Sequence, residues 1–309
     1  MKILVTGGAG YIGSDLVPTL LREGHTVRVL DSLLFGGRGI LPCFGFKNFQ
    51  FIKGDIRNVT TVKECIRDVD CIIHLAAIVG YPACKKDTRL AKEVNVDGSR
   101  VINQARSKNQ SLLFASTGSN YGAILGDLCK ENTPLNPLTD YGKTKTEAEK
   151  IFLDSGNAVI YRFATAFGVA NRLRLDLLIN DFVYRAVKER NLIIYEKHFK
   201  RTFIHVRDMS RGFLFALQNL NRMRDDVFNV GSEKLNYSKE EIARMIQKTI
   251  PYYLHFAEVG KDEDQRNYEV SYQKINDLGY YTTVTIEQGI HELIAAMQVI
   301  EIHSEYSNI

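Results

Sequence analysis

Thr6-Gly7-Gly8-Ala9-Gly10-Tyr11-Ile12-Gly13 follows the apolar run Ile3-Leu4-Val5 and opens a stretch that reads as a helix, Tyr11–Glu23. The spacing Gly7-x-x-Gly10-x-x-Gly13 lets the chain turn tightly and lets backbone N–H groups approach an anion at a helix N-terminus, where the helix dipole favours negative charge. A glycine-rich turn by itself is only a turn. Between a strand and a helix it has the context that a dinucleotide pyrophosphate requires, with Tyr11 and Ile12 inside the contact region. Asp31 closes the next strand, Thr26–Leu30. A carboxylate there accepts hydrogen bonds from ribose hydroxyls and repels a 2′-phosphate, which selects NAD over NADP. Taken alone, Asp31 is also an ordinary turn residue before Ser32.

Outward from this motif, strand and helix patterns alternate. Asn48–Lys53, Asp70–Leu75, Leu112–Ala115 and Ala158–Arg162 read as strands; Thr61–Arg67, Leu90–Ser107 and Thr139–Asp154 read as helices. This alternation predicts an α/β fold with a doubly wound parallel Rossmann sheet. Pro18 interrupts the first helix and predicts a kink. After about Phe163 the pattern loosens. Leu175–Glu189, Lys239–Lys248 and Ile286–Met297 read as helices, Tyr252–Ser271 as irregular and His303–Ile309 as frayed. The division expected is a dinucleotide-binding unit over 1–165 and a smaller interleaved α/β substrate unit over 166–309, with short strands near 203–206 and 228–231 returning to the sheet.

The 309 residues include 45% hydrophobic and 25% charged side chains, enough to build a large core. Forty Lys and Arg against 36 Asp and Glu leave a net charge of +4, too weak a bias to point to nucleic acid or a membrane surface. Five scattered cysteines without a CxxC pair suggest reduced thiols rather than zinc or disulfides. With no metal site, secretion signal or membrane span in view, the expectation is a soluble cytoplasmic protein.

Tyr141-Gly142-Lys143-Thr144-Lys145 puts Tyr141 and Lys145 on one helix face. A phenol is a poor base at neutral pH, and an adjacent ammonium favours its ionised form. The pair then suits removal of a hydroxyl proton while hydride leaves the same carbon. An exposed helix face would also explain the spacing. Ser116-Thr117-Gly118-Ser119-Asn120-Tyr121-Gly122 follows a strand whose end faces the crevice, and turn chemistry accounts for it equally well. Asp55, after the third strand and beside Ile56, is either an acceptor for the adenine amino group or a turn carboxylate.

Together with His74-Leu75-Ala76-Ala77, Glu93-Val94-Asn95, the Arg201–Asp208 run and Phe228–Ser232, these motifs resemble the extended short-chain dehydrogenases/reductases. The likeness is to the NAD-dependent epimerase/dehydratase group acting on nucleotide sugars, and it covers nearly the whole chain. It implies Thr117, Tyr141 and Lys145 as catalytic residues and Ala76 and Ala77 beside the nicotinamide. It further implies Asn95 as a brace of the crevice, Arg201 on the substrate diphosphate, and dimerisation through the helices at Leu90–Ser107 and Thr139–Asp154. Gly118 and Ser119 stand where the group's dehydratases and decarboxylases carry a carboxylate, and Thr165 stands where an asparagine is usual.

Three stretches, Ala76–Cys84, Arg172–Asp181 and Asp264–Ser271, are similar to GDP-heptose 4-dehydrogenases of capsule synthesis. Val79 and Gly80, in the first of them, would border the sugar, and Thr117, Ser119, Asn120 and Thr165 are further candidates for substrate contact. Arg172, Arg174 and Arg266 would hold the diphosphate as guanidinium forks, unless each is a solvated surface charge. The implied activity is oxidation at C4, as an epimerase or net dehydrogenase. A dehydratase and a non-catalytic NAD-binding sensor or scaffold are the rivals.

Overall fold

The computed structural model describes residues 1–122, 128–258 and 269–308; Arg266 and most of the Asp264–Ser271 stretch lie outside them. In chain order the first half runs β1 (Lys2–Thr6), α1 (Gly13–Arg22), β2 (Thr26–Asp31), β3 (Phe49–Lys53), α2 (Val59–Ile66), β4 (Cys71–His74), α3 (Tyr81–Lys86), α4 (Thr88–Lys92), α5 (Gly98–Ala105), β5 (Ser111–Thr117), β6 (Leu128–Cys129), α6 (Asp140–Ser155) and β7 (Ala158–Phe163). The second half runs β8 (Thr165–Phe167), α7 (Leu178–Tyr184), β9 (Asn191–Tyr195), β10 (Lys200–His205), α8 (Val206–Gln218), α9 (Leu220–Met223), β11 (Asp226–Val230), β12 (Asn236–Ser238), α10 (Lys239–Thr249), β13 (Tyr253–Ala257), β14 (Glu269–Val270), α11 (Gln273–Asn276) and α12 (Ile286–Val299).

Seven strands form one parallel sheet in the order β3-β2-β1-β4-β5-β7-β11. Their continuous apolar runs are what burial on both faces requires. Ile3, Val5, Val27 and Ile73 pack on one face with Leu16, Val17 and Phe213. Leu4, Leu30, Ile72 and Phe114 pack on the other with Val62, Ile102 and Phe152. A separate core joins Phe167, Phe182, Phe203, Ile246 and Leu293 in the second half. The chain reverses direction across the sheet between β1 and β4, and ligands of such sheets bind at that switch point. Among the described residues no helix is long and apolar enough to cross a membrane.

The doubly wound parallel sheet is as the sequence predicts; several details differ. The strand expected near 203–206 does not return to the sheet. It is β10, which pairs with β8 and β12 in a three-stranded sheet and ends at His205, and Val206 begins α8. Only β11 returns, alongside β7. The helix expected over Leu90–Ser107 runs from Thr88 to Ala105 and is widened by a π turn at Glu93–Asp97, which carries Asn95. Tyr253–Ala257 is a strand paired with β9. The segment expected to fray is anchored, since the Tyr306 carbonyl accepts from Leu175 N–H at 2.7 Å.

Helix α1 continues through Pro18. A proline removes the N–H that the carbonyl four residues earlier would accept, here that of Ser14. Asn171 Nδ2 donates to this carbonyl at 2.8 Å, and Ser14 is fully buried. Asn171→Ala therefore orphans a buried acceptor and is expected to lower stability by about 1–3 kcal/mol. Urea unfolding checks this; an unchanged midpoint would contradict the account.

Candidate functional site

The sheet's switch point opens into a cleft of about 450 Å³, within the range of small-ligand sites. Gly7 adopts φ +72°, and a Cβ there would lie 2.6 Å from the Ala76 backbone nitrogen. A Cβ on Gly13 would lie 2.5 Å from Gly8 Cα. Both positions therefore exclude any side chain, and the backbone between them stays bare towards the cleft. Gly10, Tyr11 and Ile12 line it as well. Tyr11 is pinned by its hydroxyl, which donates to the Gly168 carbonyl at 2.8 Å.

Asp31 Oδ2 accepts from Ala9 N–H at 2.9 Å and Oδ1 from Leu33 N–H at 2.8 Å. Burial nonetheless raises this carboxyl above its ordinary value. It is a cleft acid that a further donor, such as a sugar hydroxyl, would relieve. Asp55 lines the cleft too, but Arg57 forks its carboxylate and bridges on to Glu93. The turn-carboxylate reading of Asp55 is seen directly, because Arg57 N–H also donates to Oδ1 at 2.8 Å. Ile56 is buried against Gly98 beneath the cleft wall, and Ala76 and Ala77 form the wall after β4.

Thr117, Tyr141 and Lys145 line this same cleft, from the end of β5 and the first turns of α6. Thr117 Oγ1 accepts from Ser119 N–H and donates to Ser119 Oγ, both at 3.1 Å. Thr139 caps α6 by accepting from Gly142 N–H at 3.2 Å, which fixes the turn that carries Tyr141. Lys145 is 3% exposed, with Nζ 4.1 Å from the centre of the Phe114 ring. Burial pushes its ammonium down to about 7. Asn95 sits between the parts as expected. Its Oδ1 accepts from Ile78 N–H at 2.7 Å, and its Nδ2 donates to Thr144 Oγ1 and the Ile78 carbonyl, both at 3.0 Å. It therefore ties the loop after β4 to the helix of Tyr141 and Lys145.

Beneath these residues lies a polar network that the sequence reading missed. Glu149, one turn beyond Lys145, forms a buried ion pair with Arg162 and accepts from Ser116 Oγ at 2.9 Å. The only signal in the sequence was its i+4 spacing from Lys145. The network corrects one expectation, because Asn120 does not border the sugar. It is fully buried, and its Nδ2 donates to Ser116 Oγ at 3.0 Å and Glu149 Oε2 at 3.2 Å.

Val79, Gly80, Ser119 and Thr165 line the far end of the cleft. Arg172, Arg174 and Arg201 also line the cleft, at 3%, 8% and 5% exposure, which removes the surface-charge alternative for Arg172 and Arg174. Arg174 is paired with Asp176. Arg172 stacks over Phe35 at 4.6 Å, near Asp31 rather than beside Thr117. Asp31 and Asp55 are the only acidic side chains lining the cleft among the described residues. Cys84 is packed, with Sγ donating to the Ile78 carbonyl at 3.3 Å and its thiol pushed up to about 11 by burial. Among the described residues no group of three or more metal-ligating side chains comes together.

Residues 3–231 match the model of the NAD dependent epimerase/dehydratase family. The chain belongs to this family. It is 31% identical to a UDP-glucose 4-epimerase of Lactobacillus helveticus over 281 residues, 82% of this chain and 84% of the relative. It is 26% identical to the CDP-paratose 2-epimerase of Salmonella typhi, covering 95% of this chain and 98% of the relative. Among solved structures it superposes on the UDP-glucuronic acid 4-epimerase of Bacillus cereus, in complex with UDP-glucuronic acid and NAD. The TM-score is 0.87 at 27% identity, over 96% of this chain and 99% of that one.

The buried ammonium has a consequence in the free protein. Lys145 has an ordinary value of 10.5 when unfolded and about 7 when folded, so between these the unfolded chain binds more protons. Its contribution to stability must then rise with pH, by up to roughly 1.4 kcal/mol per pH unit. Between pH 7.5 and 8.5, Lys145→Met is expected to flatten the stability profile of the nucleotide-free protein. Identical slopes for the two proteins would contradict the burial described.

Proposed function

We propose that this chain oxidises C4 of a nucleotide-linked sugar, with Tyr141 as base, Thr117 as hydrogen-bonding partner of the reacting oxygen, and Lys145 as the cation beside them. The observation that carries the reading is that all three line one cleft with the bare Gly7–Gly13 turn and Asp31. Gly7, Gly10, Tyr11, Ile12, Gly13, Asp31, Ile56, Ala76 and Ala77 would hold NAD, with Asp55 at the adenine end. Bound there, NAD supplies the hydride acceptor. Tyr141 takes the hydroxyl proton as the C4–H bond breaks, Thr117 steadies the oxygen that becomes a carbonyl, and Lys145 favours the ionised phenol. Arg174 and Arg201 would face the sugar diphosphate. The dinucleotide unit would span 1–165 and the sugar unit 166–309, with α8 and β11 contributed back to the first. A homodimer would use the outer faces of α4, α5 and α6.

Dehydration across C5 and C6 needs a group to take the C5 proton and an acid for the leaving hydroxyl. Gly118 and Ser119 supply neither, and no carboxylate lines the sugar end of the cleft among the described residues. This favours an epimer or a 4-keto sugar with its C6 substituents retained. The intact Thr117, Tyr141 and Lys145 set argues against a sensor or scaffold. The relatives above are named for UDP and CDP sugars, so a GDP-heptose belongs in the substrate panel beside UDP-, CDP- and dTDP-hexoses.

The test is turnover on that panel in heavy water, with products identified by NMR. C4 oxidation and return is expected to leave C6 unlabelled, and Tyr141→Phe to cut the rate by roughly 10²–10⁴. Deuterium at C6 with loss of its hydroxyl would overturn the reaction proposed. Full activity in Tyr141→Phe would overturn the role of the phenol.

A further inference from the structure

The segment after α12 crosses the cleft. A 3₁₀ turn at Ser304–Tyr306 is pinned to Leu175 through the Tyr306 carbonyl, and His303 packs edge-on against the Tyr306 ring. Glu305 lies against Gly36 in the loop after β2, where a Cβ would be 2.6 Å from its carboxylate, and pairs with Arg38 at 3.7 Å. Asn308 lines the cleft and makes three contacts. Its N–H donates to Asp176 Oδ1 at 3.3 Å, its Nδ2 to the Val79 carbonyl at 3.5 Å, and its Oδ1 accepts from Arg172 Nη2 at 2.7 Å. One short segment thus spans the loop after β2, the loop after β4 and the 172–176 stretch.

Arg172 is the side chain this segment controls. Its backbone N–H donates to Ser14 Oγ at 3.0 Å, which seats it on the first turn of α1. Its Cβ comes within 2.8 Å of the Cβ position at Gly39, and its guanidinium covers Phe35. Its Nε is buried with no partner among the described residues. An orphaned guanidinium donor in a closed site is costly unless a ligand acceptor meets it. At this position, beside Asp31 and the N-terminus of α1, the acceptor belongs to the adenosine ribose or pyrophosphate rather than to the sugar.

We propose that Glu305–Asn308 is a strap belonging to the cofactor site, and that Asn308 is a positioning residue that holds Arg172 over the dinucleotide and so sets how long it stays bound. The inference rests on the reading above that the cleft takes NAD. It deepens that reading, because long residence of the reduced cofactor favours return of hydride to the same sugar, and hence an epimer.

The experiment is release of NADH from the full chain, followed by fluorescence after a chase with excess NAD, alongside the thermal midpoint of the nucleotide-free protein. Asn308→Ala is expected to speed release about tenfold or more, as loss of a hydrogen bond to a charged group would. Its free-protein midpoint should fall only slightly, no further than that of Asn308→Asp. Asn308→Asp keeps an oxygen on Arg172 and should restore slow release. Glu305→Ala, at the other anchor, should also speed release. NADH bound normally but released at the parent rate from both alanine variants would overturn the strap while leaving the cofactor reading intact. Faster release that tracks a lowered midpoint, without rescue by Asn308→Asp, would reduce Asn308 to a structural role. A parent protein that binds no NADH would overturn the cofactor reading itself and the strap with it.

Discussion

At Gly7 the chain passes so close to the backbone of Ala76 that no side chain can intervene, and the rest of the site is arranged around that approach. It sets the ends of β1 and β4 side by side where the sheet changes direction, and leaves a bare backbone at the N-terminus of α1. Thr6 reinforces it from beneath, with Oγ1 2.7 Å from His74 Nδ1 and accepting from Ala76 N–H at 3.4 Å. Burial holds the His74 imidazole neutral, pushing it down to about 3, so the support carries no charge into the sheet. Asp31, Ala76 and Thr117 stand at or just after the ends of strands of this sheet, and Gly13 starts α1.

The second constraint is electrostatic. Lys145 is buried in the free chain, one turn from the enclosed Glu149–Arg162 pair. A buried ion pair is weak evidence for stability, although removing one partner costs about 3–5 kcal/mol. Here the pair has a positional consequence. Glu149 occupies Ser116 and Asn120, which leaves Thr117 as the hydroxyl at the strand end available to the cleft. A reaction centre built this way brings the Lys145 amine and the Tyr141 phenol to one cleft before any ligand arrives, and such preorganisation is what proton transfer needs.

The fold was largely legible because parallel strands buried on both faces leave continuous apolar runs, and the glycine spacing marks the first βα junction. The shared helix face of Tyr141 and Lys145 was legible from their local spacing and Thr117 only through the family resemblance, and the fold brings all three to one cleft. What escaped depends on contacts between distant segments. Helix α8 begins directly at the end of β10, with no breaker between them, so Val206 read as the continuation of a strand. Asn120 looked like a cleft residue in a polar turn, and only the approach of Glu149 from α6 turns it inward. Asn171 rescues the Pro18 gap from more than 150 residues away. The segment His303–Asn308 is polar and short, with no periodic signal, and its role depends entirely on Leu175, Arg172 and Val79 being where the fold brings them.

The most direct test of the central claim uses the nucleotide sugar that the panel identifies, carrying deuterium at C4, in a single turnover with the NAD-loaded protein. The account predicts that the label moves to the nicotinamide ring and that the transfer shows a primary isotope effect. Label that stays on C4 throughout turnover, or that leaves for solvent without reaching the ring, would contradict oxidation at C4 by this cleft.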